Sequence, residues 1–135
     1  AATRMIMERR PQTQRRVAGL NRRLNRQLGA LRTADGKPLA VCIHSSSTGS
    51  DYILSCSLPG YQGAVLARAL SAKGVIVGTG SACAAESKQP SRILMAMGVP
   101  EEVAFGSLRV SFGCRNRDSD VDAFCRSLQA VITEY

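Results

Sequence analysis

The chain has 135 residues, of which 44% are hydrophobic and 21% charged, with a net charge of +8. That length suits one domain with its own core, and no apolar run approaches a membrane span or a secretory signal. Five cysteines (Cys42, Cys56, Cys83, Cys114 and Cys125) form no C-x-x-C pair; this argues against a disulfide scaffold and a tetrahedral zinc site, and points to the reducing cytoplasm.

The positive charge is unevenly placed. Nine Arg and one Glu lie in residues 1–32, and the remainder carries nine basic and nine acidic residues. Val17, Leu20, Leu24, Leu28 and Leu31 recur at three- and four-residue spacing, with Arg15, Arg16, Arg22, Arg23 and Arg26 largely around them. This predicts an amphipathic helix. Pro11 should start, break or kink it, leaving residues 1–10 as a tail or a separate helical piece. Such a helix can attract phosphate without specificity. With no Trp, three Phe and three Tyr, and no recognised binding motif, a solvated or docking face is the better reading and nucleic acid is not an expected partner.

Asp35-Gly36 and Pro38 mark a turn. A strand is predicted over about 39–45, with Leu39, Val41 and Ile43 on one side and Ala40, Cys42 and His44 on the other. His44, the only His, reads as a structural residue, because it has no cluster of partners for a metal. Ser45 to Asp51 is a polar loop, and a second strand runs from about Tyr52 to Leu58. Pro59-Gly60 ends it, and a helix over 62–73 closes at Lys73-Gly74. Val75-Ile76-Val77 reads as a short buried strand. The stretch from Gly78 to Gln89 has no apolar period. Pro90 opens a short helix to Met97, Glu101–Ala104 is one helical turn, and Ser107–Gly113 alternates as a strand. Asn116 or Asp118 caps a last helix to about Glu134, with Val121, Phe124, Cys125 and Leu128 inward. The order predicts an α+β fold: a small mixed or mainly antiparallel sheet of about four strands, covered on one face by helices.

Two features carry candidate chemistry. Cys42 and Cys56 lie in strands and Cys125 on an apolar helix face, where thiols are packing. Cys114, at a strand exit beside Arg115, is open to either reading. Cys83 instead sits among Gly78, Gly80, Ser81, Ala82, Ala84 and Ala85, a run expected to form a mobile loop that leaves the thiol accessible. A free thiol in a flexible loop and a nucleophile both fit that pattern. Arg109 lies between Leu108 and Val110, which point to the core, so its own side chain points away. Such an Arg is a solvated edge residue or a fixed guanidinium that grips a carboxylate.

Gly80-Ser81-Ala82-Cys83, Pro90-Ser91, Leu94-Met95-Ala96-Met97-Gly98 and Ser107-Leu108-Arg109-Val110-Ser111-Phe112-Gly113 together resemble the end of cysteine desulfurases of the NifS/IscS type. These belong to the class V, fold-type I aminotransferases. The resemblance covers roughly residues 12–134, and the gap from Cys83 to Pro90 is similar to the branch with a long mobile loop. It implies that 1–135 is one C-terminal (small) domain of such an enzyme, and that the large PLP-binding domain lies outside it. It further implies that Cys83 takes sulfur from L-cysteine as a persulfide and releases alanine, while Arg109 binds the substrate α-carboxylate. PLP would be the cofactor of the full enzyme, a homodimer, and the acceptor a protein such as an iron–sulfur scaffold or a tRNA-thiolation relay. Lys37, Lys73 and Lys88 match no cofactor lysine, so this chain alone is not expected to turn over cysteine or to bind a cofactor or metal. Pro11, Lys88-Gln89 and Cys114 depart from the family pattern. The alternative is a non-enzymatic sulfur carrier or interaction module that uses the same loop cysteine.

Overall fold

The computed structural model describes residues 2–80 and 89–135, with side chains from Arg10 onward. Helix α1 spans Ala2–Leu28, strand β1 Cys42–Ile43, β2 Ile53–Ser57, helix α2 Gly63–Ala72, α3 Arg92–Ala96, α4 Glu101–Ala104, β3 Ser107–Ser111 and α5 Asp118–Glu134. The three strands form one antiparallel sheet in the order β1-β2-β3. Cys42 and Ile43 face Ser57 and Cys56, and Ile53 to Ser57 run opposite Ser111 to Ser107. The architecture is α+β, as the element order predicts.

Directly opposed residues in such a ladder share a face, so two faces follow from the register. Leu54, Cys56, Leu108 and Val110 point inward, where α1, α2 and α5 supply Leu20, Leu24, Leu28, Leu66, Leu70, Val121, Phe124 and Leu128. Twelve of the large side chains are below 2% exposed, and nine of them are Leu, drawn from five different elements and from Leu58 just after β2, so the core is one packed unit. The other face carries Ile53, Ser55, Ser57, Ser107, Arg109 and Ser111.

Three elements differ from expectation. Helix α1 runs through Pro11 without interruption; proline removes one helical hydrogen bond and crowds one carbonyl, and neither ends the helix here. Strand β1 is only two residues long, although Leu39, Val41 and Ile43 do turn to the core. Val75-Ile76-Val77 does not form a buried strand. Val75 and Val77 pack on the core while Ile76 is 88% exposed, and only Gly78 pairs with the sheet, by a bridge to Arg109.

Helices α1 and α5 are clamped by a polar cluster. Arg23 donates from Nε and Nη2 to the two Asp122 carboxylate oxygens, each at 2.9 Å, and Gln27 Nε2 donates to Oδ1 at 2.6 Å. The Arg16 guanidinium also donates to the Asn116 carbonyl. The start of α5 is held by Asp120, whose Oδ2 accepts the Arg117 amide at 2.9 Å, so Asp120 and not Asn116 or Asp118 closes the helix end. The hydrogen bonds from Gln27 and Arg23 hold the Asp122 carboxyl below its ordinary pKa. A carboxylate depressed in the folded state stabilises it fully above the ordinary range near about pH 4, and that contribution fades as pH falls through the folded value. Arg23→Gln should therefore shift the acid-unfolding midpoint to higher pH, as read by circular dichroism.

The sheet also meets α2 and the α4–β3 corner at two close approaches. A Cβ on Gly106 would overlap the Leu58 carbonyl oxygen, and one on Gly63 would overlap the Ser107 carbonyl oxygen. In the structure these positions carry hydrogen bonds instead: Leu58 N donates to Gly106 O at 3.0 Å and Gly63 N to Phe105 O at 2.9 Å. Gly106→Ala should therefore destabilise by at least the ~1–3 kcal/mol typical of overpacking, measured by urea titration. Gly36→Ala, where the Cβ meets nothing within 4 Å, should cost less, its penalty coming only from the positive φ.

Candidate functional site

The sequence places its two candidate residues on separate elements. Arg109 is the middle residue of β3, exposed on the sheet face opposite the core, with Ser55 directly across in β2. On the other edge of β3, Gly78 N donates to Arg109 O at 2.9 Å and Arg109 N donates to Gly78 O at 2.7 Å. The Arg109 guanidinium lies over Gly78: a Cβ there would stand 3.3 Å from Nη2 and 3.4 Å from Nε. Gly78 is thus pinned to the sheet and is not a free loop residue. Gly80 has φ +127, a conformation that suits glycine. Ser81, Ala82, Cys83, Ala84 and Ala85 lie outside the described residues.

This arrangement can do one thing directly. It holds a guanidinium on an open face, beside a backbone fixed five residues before Cys83. Among the described residues no carboxylate lies within ion-pair distance of Arg109.

The neighbouring serines were not singled out from the sequence, although the alternation Leu54-Ser55-Cys56-Ser57-Leu58 signals them. Ser57 is fully buried, and its Oγ lies 2.7 Å from His44 Nε2. This gives His44 the structural partner its strand position implies, and burial lowers its pKa. No group of His, Cys, Asp and Glu among the described residues could hold a metal ion, and no described helix is long and apolar enough to cross a membrane.

The thiols sort by environment. Cys56 is buried and its pKa is pushed up to about 12, first by desolvation; Cys125 is raised to about 11 for the same leading reason. Cys42 is half-buried and Cys114 exposed.

An antiparallel sheet with one helix-covered face and one polar face bearing a central arginine is a domain of mixed α and β type, built to present that face. The family model for class-V aminotransferases matches residues 21–124, and the chain belongs to that family. It is 40% identical over 78 residues to the cysteine desulfurase IscS of Clostridium botulinum (strain Hall), a match that covers 58% of this chain and 20% of that protein. It is 49% identical over 71 residues to IscS of Methanosarcina thermophila (53% and 18%) and 30% identical over 129 residues to IscS of Azotobacter vinelandii (94% and 30%). Among solved structures, a NifS-like protein superposes with a TM-score of 0.78 at 23% identity over 97% of this chain and 31% of its own. The cysteine desulfurase CsdA of Escherichia coli gives 0.62 at 20% identity over 90% and 25%. The chain therefore spans between about a fifth and a third of the length of these relatives, and the two structures share its fold.

The family generally uses PLP, and the described residues do not assemble a site for it. Lys37 pairs with Asp35 at 2.6 Å in an exposed turn, and Lys73 pairs with Glu134 at 3.2 Å at the end of α2. Lys88 lies outside the described residues.

The difference among the thiols has a direct readout. Brief iodoacetamide treatment of the native chain at pH 8, followed by peptide mass mapping, should alkylate Cys114 and leave Cys56 and Cys125 unmodified until the protein is denatured. A thiol with a pKa near 11 or 12 is scarcely ionised at that pH, and burial also blocks access.

Proposed function

We propose that this chain is the cysteine-bearing C-terminal segment of a PLP-dependent cysteine desulfurase. In this reading Cys83 accepts sulfur and Arg109 binds the substrate α-carboxylate. The observation that supports it best is the reciprocal hydrogen bonding of Gly78 and Arg109, which anchors the approach to Cys83 beside an exposed guanidinium. The similarity to proteins named cysteine desulfurases over the same residues supports it too.

In chemical terms, Arg109 grips the carboxylate of L-cysteine through paired N–H donors and fixes its orientation. The Cys83 thiolate attacks the substrate sulfur, so a sulfur–sulfur bond forms and the substrate's carbon–sulfur bond breaks. The electron pair of the broken bond stays with carbon, which takes up a proton, and alanine leaves. Cys83 is left as a persulfide and passes its outer sulfur to an acceptor protein, such as an iron–sulfur scaffold. PLP, which stabilises the charge on carbon, is held by the rest of the enzyme, a cytoplasmic homodimer. By this reading the chain alone releases no alanine from cysteine.

The test uses the whole enzyme, assayed for alanine and for protein-bound persulfide. Cys83→Ser should abolish persulfide loading and alanine release in turnover. Arg109→Gln should raise KM for L-cysteine by roughly ten- to a hundredfold, as expected for a lost charge-assisted pair worth about 1.5–3 kcal/mol. Persulfide recovered on Cys114 in the Cys83→Ser variant would refute the assignment.

A further inference from the structure

The Ser45–Asp51 loop and the arginines of α1 play no part in the reading above, yet the structure brings them together. A cleft of about 800 Å³ lies between them, lined by Ala18, Gly19, Arg22 and Arg26 on the helix and by Ser46 and Ser47 on the loop. Gly19, Arg22 and Arg26 follow one another at spacings of three and four residues, so they share one face of the helix. The small residues Ala18 and Gly19 leave a shallow floor, and the Arg22 guanidinium lies over Gly19, 4.0 Å from where a Cβ would be.

The α1 arginines fall into two groups. Arg16 and Arg23 are engaged by α5 and its approach, through the Asn116 carbonyl and the Asp122 carboxylate. Among the described residues Arg22 and Arg26 pair with no carboxylate. Both are exposed.

The opposite wall is held in shape by its own hydroxyls. Ser45 Oγ accepts the Ser55 amide at 2.8 Å, Ser46 Oγ lies 3.1 Å from Thr48 Oγ1, and Ser50 Oγ accepts the Tyr52 amide at 3.3 Å. Asn21 Nδ2 donates to the Asp51 carbonyl at 3.0 Å and ties the loop to the helix. Asp51 adds one negative charge to the rim against two guanidiniums, and it pairs with neither.

We propose that this cleft binds a phosphoryl group carried by a small ligand. Two guanidinium forks one helical turn apart match a dianion with three terminal oxygens better than a carboxylate, which a single fork satisfies. Hydroxyls on the facing wall supply further donors at low charge, and the volume falls in the range of small-molecule sites. The surplus positive charge of the N-terminal third favours the encounter with an anion. The site is independent of Cys83 and Arg109, and it stands or falls without them.

Calorimetric titration of the chain at low ionic strength, with pyrophosphate in one arm and adenosine monophosphate in the other, tests it. Saturable 1:1 binding is expected in at least one arm. The double variant R22Q/R26Q should weaken it at least tenfold, and R10Q/R15Q, which removes the same charge elsewhere on the helix, less than twofold. Tighter binding of the nucleotide assigns the site to nucleotides, and tighter binding of pyrophosphate assigns it to inorganic phosphates; either upholds the phosphoryl site. Equal weakening by the two double variants, or no saturation by either ligand, overturns it. Circular dichroism of both variants, matched to the parent, removes unfolding as an explanation.

Discussion

The backbone of β3 is hydrogen-bonded along both edges, to β2 through five residue pairs on one side and to Gly78 on the other. A strand held on both sides cannot slip by one residue without turning every side chain over. Leu108 and Val110 are packed in the core, so that slip would place a guanidinium among leucines. The cost of burying an unpaired charge therefore fixes Arg109 on the open face. The close approaches at Gly63 and Gly106 set the same register from one end of the β2–β3 pair, because each brings a backbone against the strand system with no room for a side chain. Position along β3, and with it the place where Gly78 joins the sheet, thus depends on core packing and on these close backbone approaches.

The charge distribution has a similar division. The net charge of +8 resides in the first 32 residues, but the arginines there do different work. Arg23, with Gln27, joins α1 to α5 through one carboxylate. That cluster is only partly covered, and its value lies in fixing the rotation of α1, since Leu20, Leu24 and Leu28 face the core only in that orientation. With that rotation fixed, Arg22 and Arg26 are turned toward the Ser45–Asp51 loop. One helix face is structural, and the other lines the cleft.

Most of this was legible in the sequence, for physical reasons that also explain the failures. The α1 stripe, the alternation of β3 and the α5 core face were readable because burial imposes a period on apolar residues. The expectation that Pro11 would start or break the helix failed because a proline penalty is local, and a long helix continues past it. The Val75–Val77 expectation failed for another reason. Three apolar residues predict burial of all three, but an extended segment at a sheet edge buries alternate ones, and Ile76 is the one turned out. The contact of Gly78 with Arg109 and the cleft beside α1 join residues remote in sequence, and no local pattern announces such pairs.

The proposed sulfur chemistry on Cys83 requires that the other four thiols not compete, and burial supplies part of that selection. Burial removes Cys56 and Cys125, both by blocking approach and by keeping the thiol protonated. Cys42 is half-covered on a strand paired to β2. Cys114 is exposed, and what sets it apart is its position. Cys114 lies inside a turn in which Gly113 N donates to Asn116 Oδ1 at 2.7 Å and Asn116 N to Gly113 O at 3.2 Å, so its backbone is tied to the start of α5. In the proposed reading the accepting thiol meets a substrate beside Arg109, and the chain that leads to Cys83 starts from an anchor on that same strand, Gly78, whose N and O are both hydrogen-bonded to Arg109.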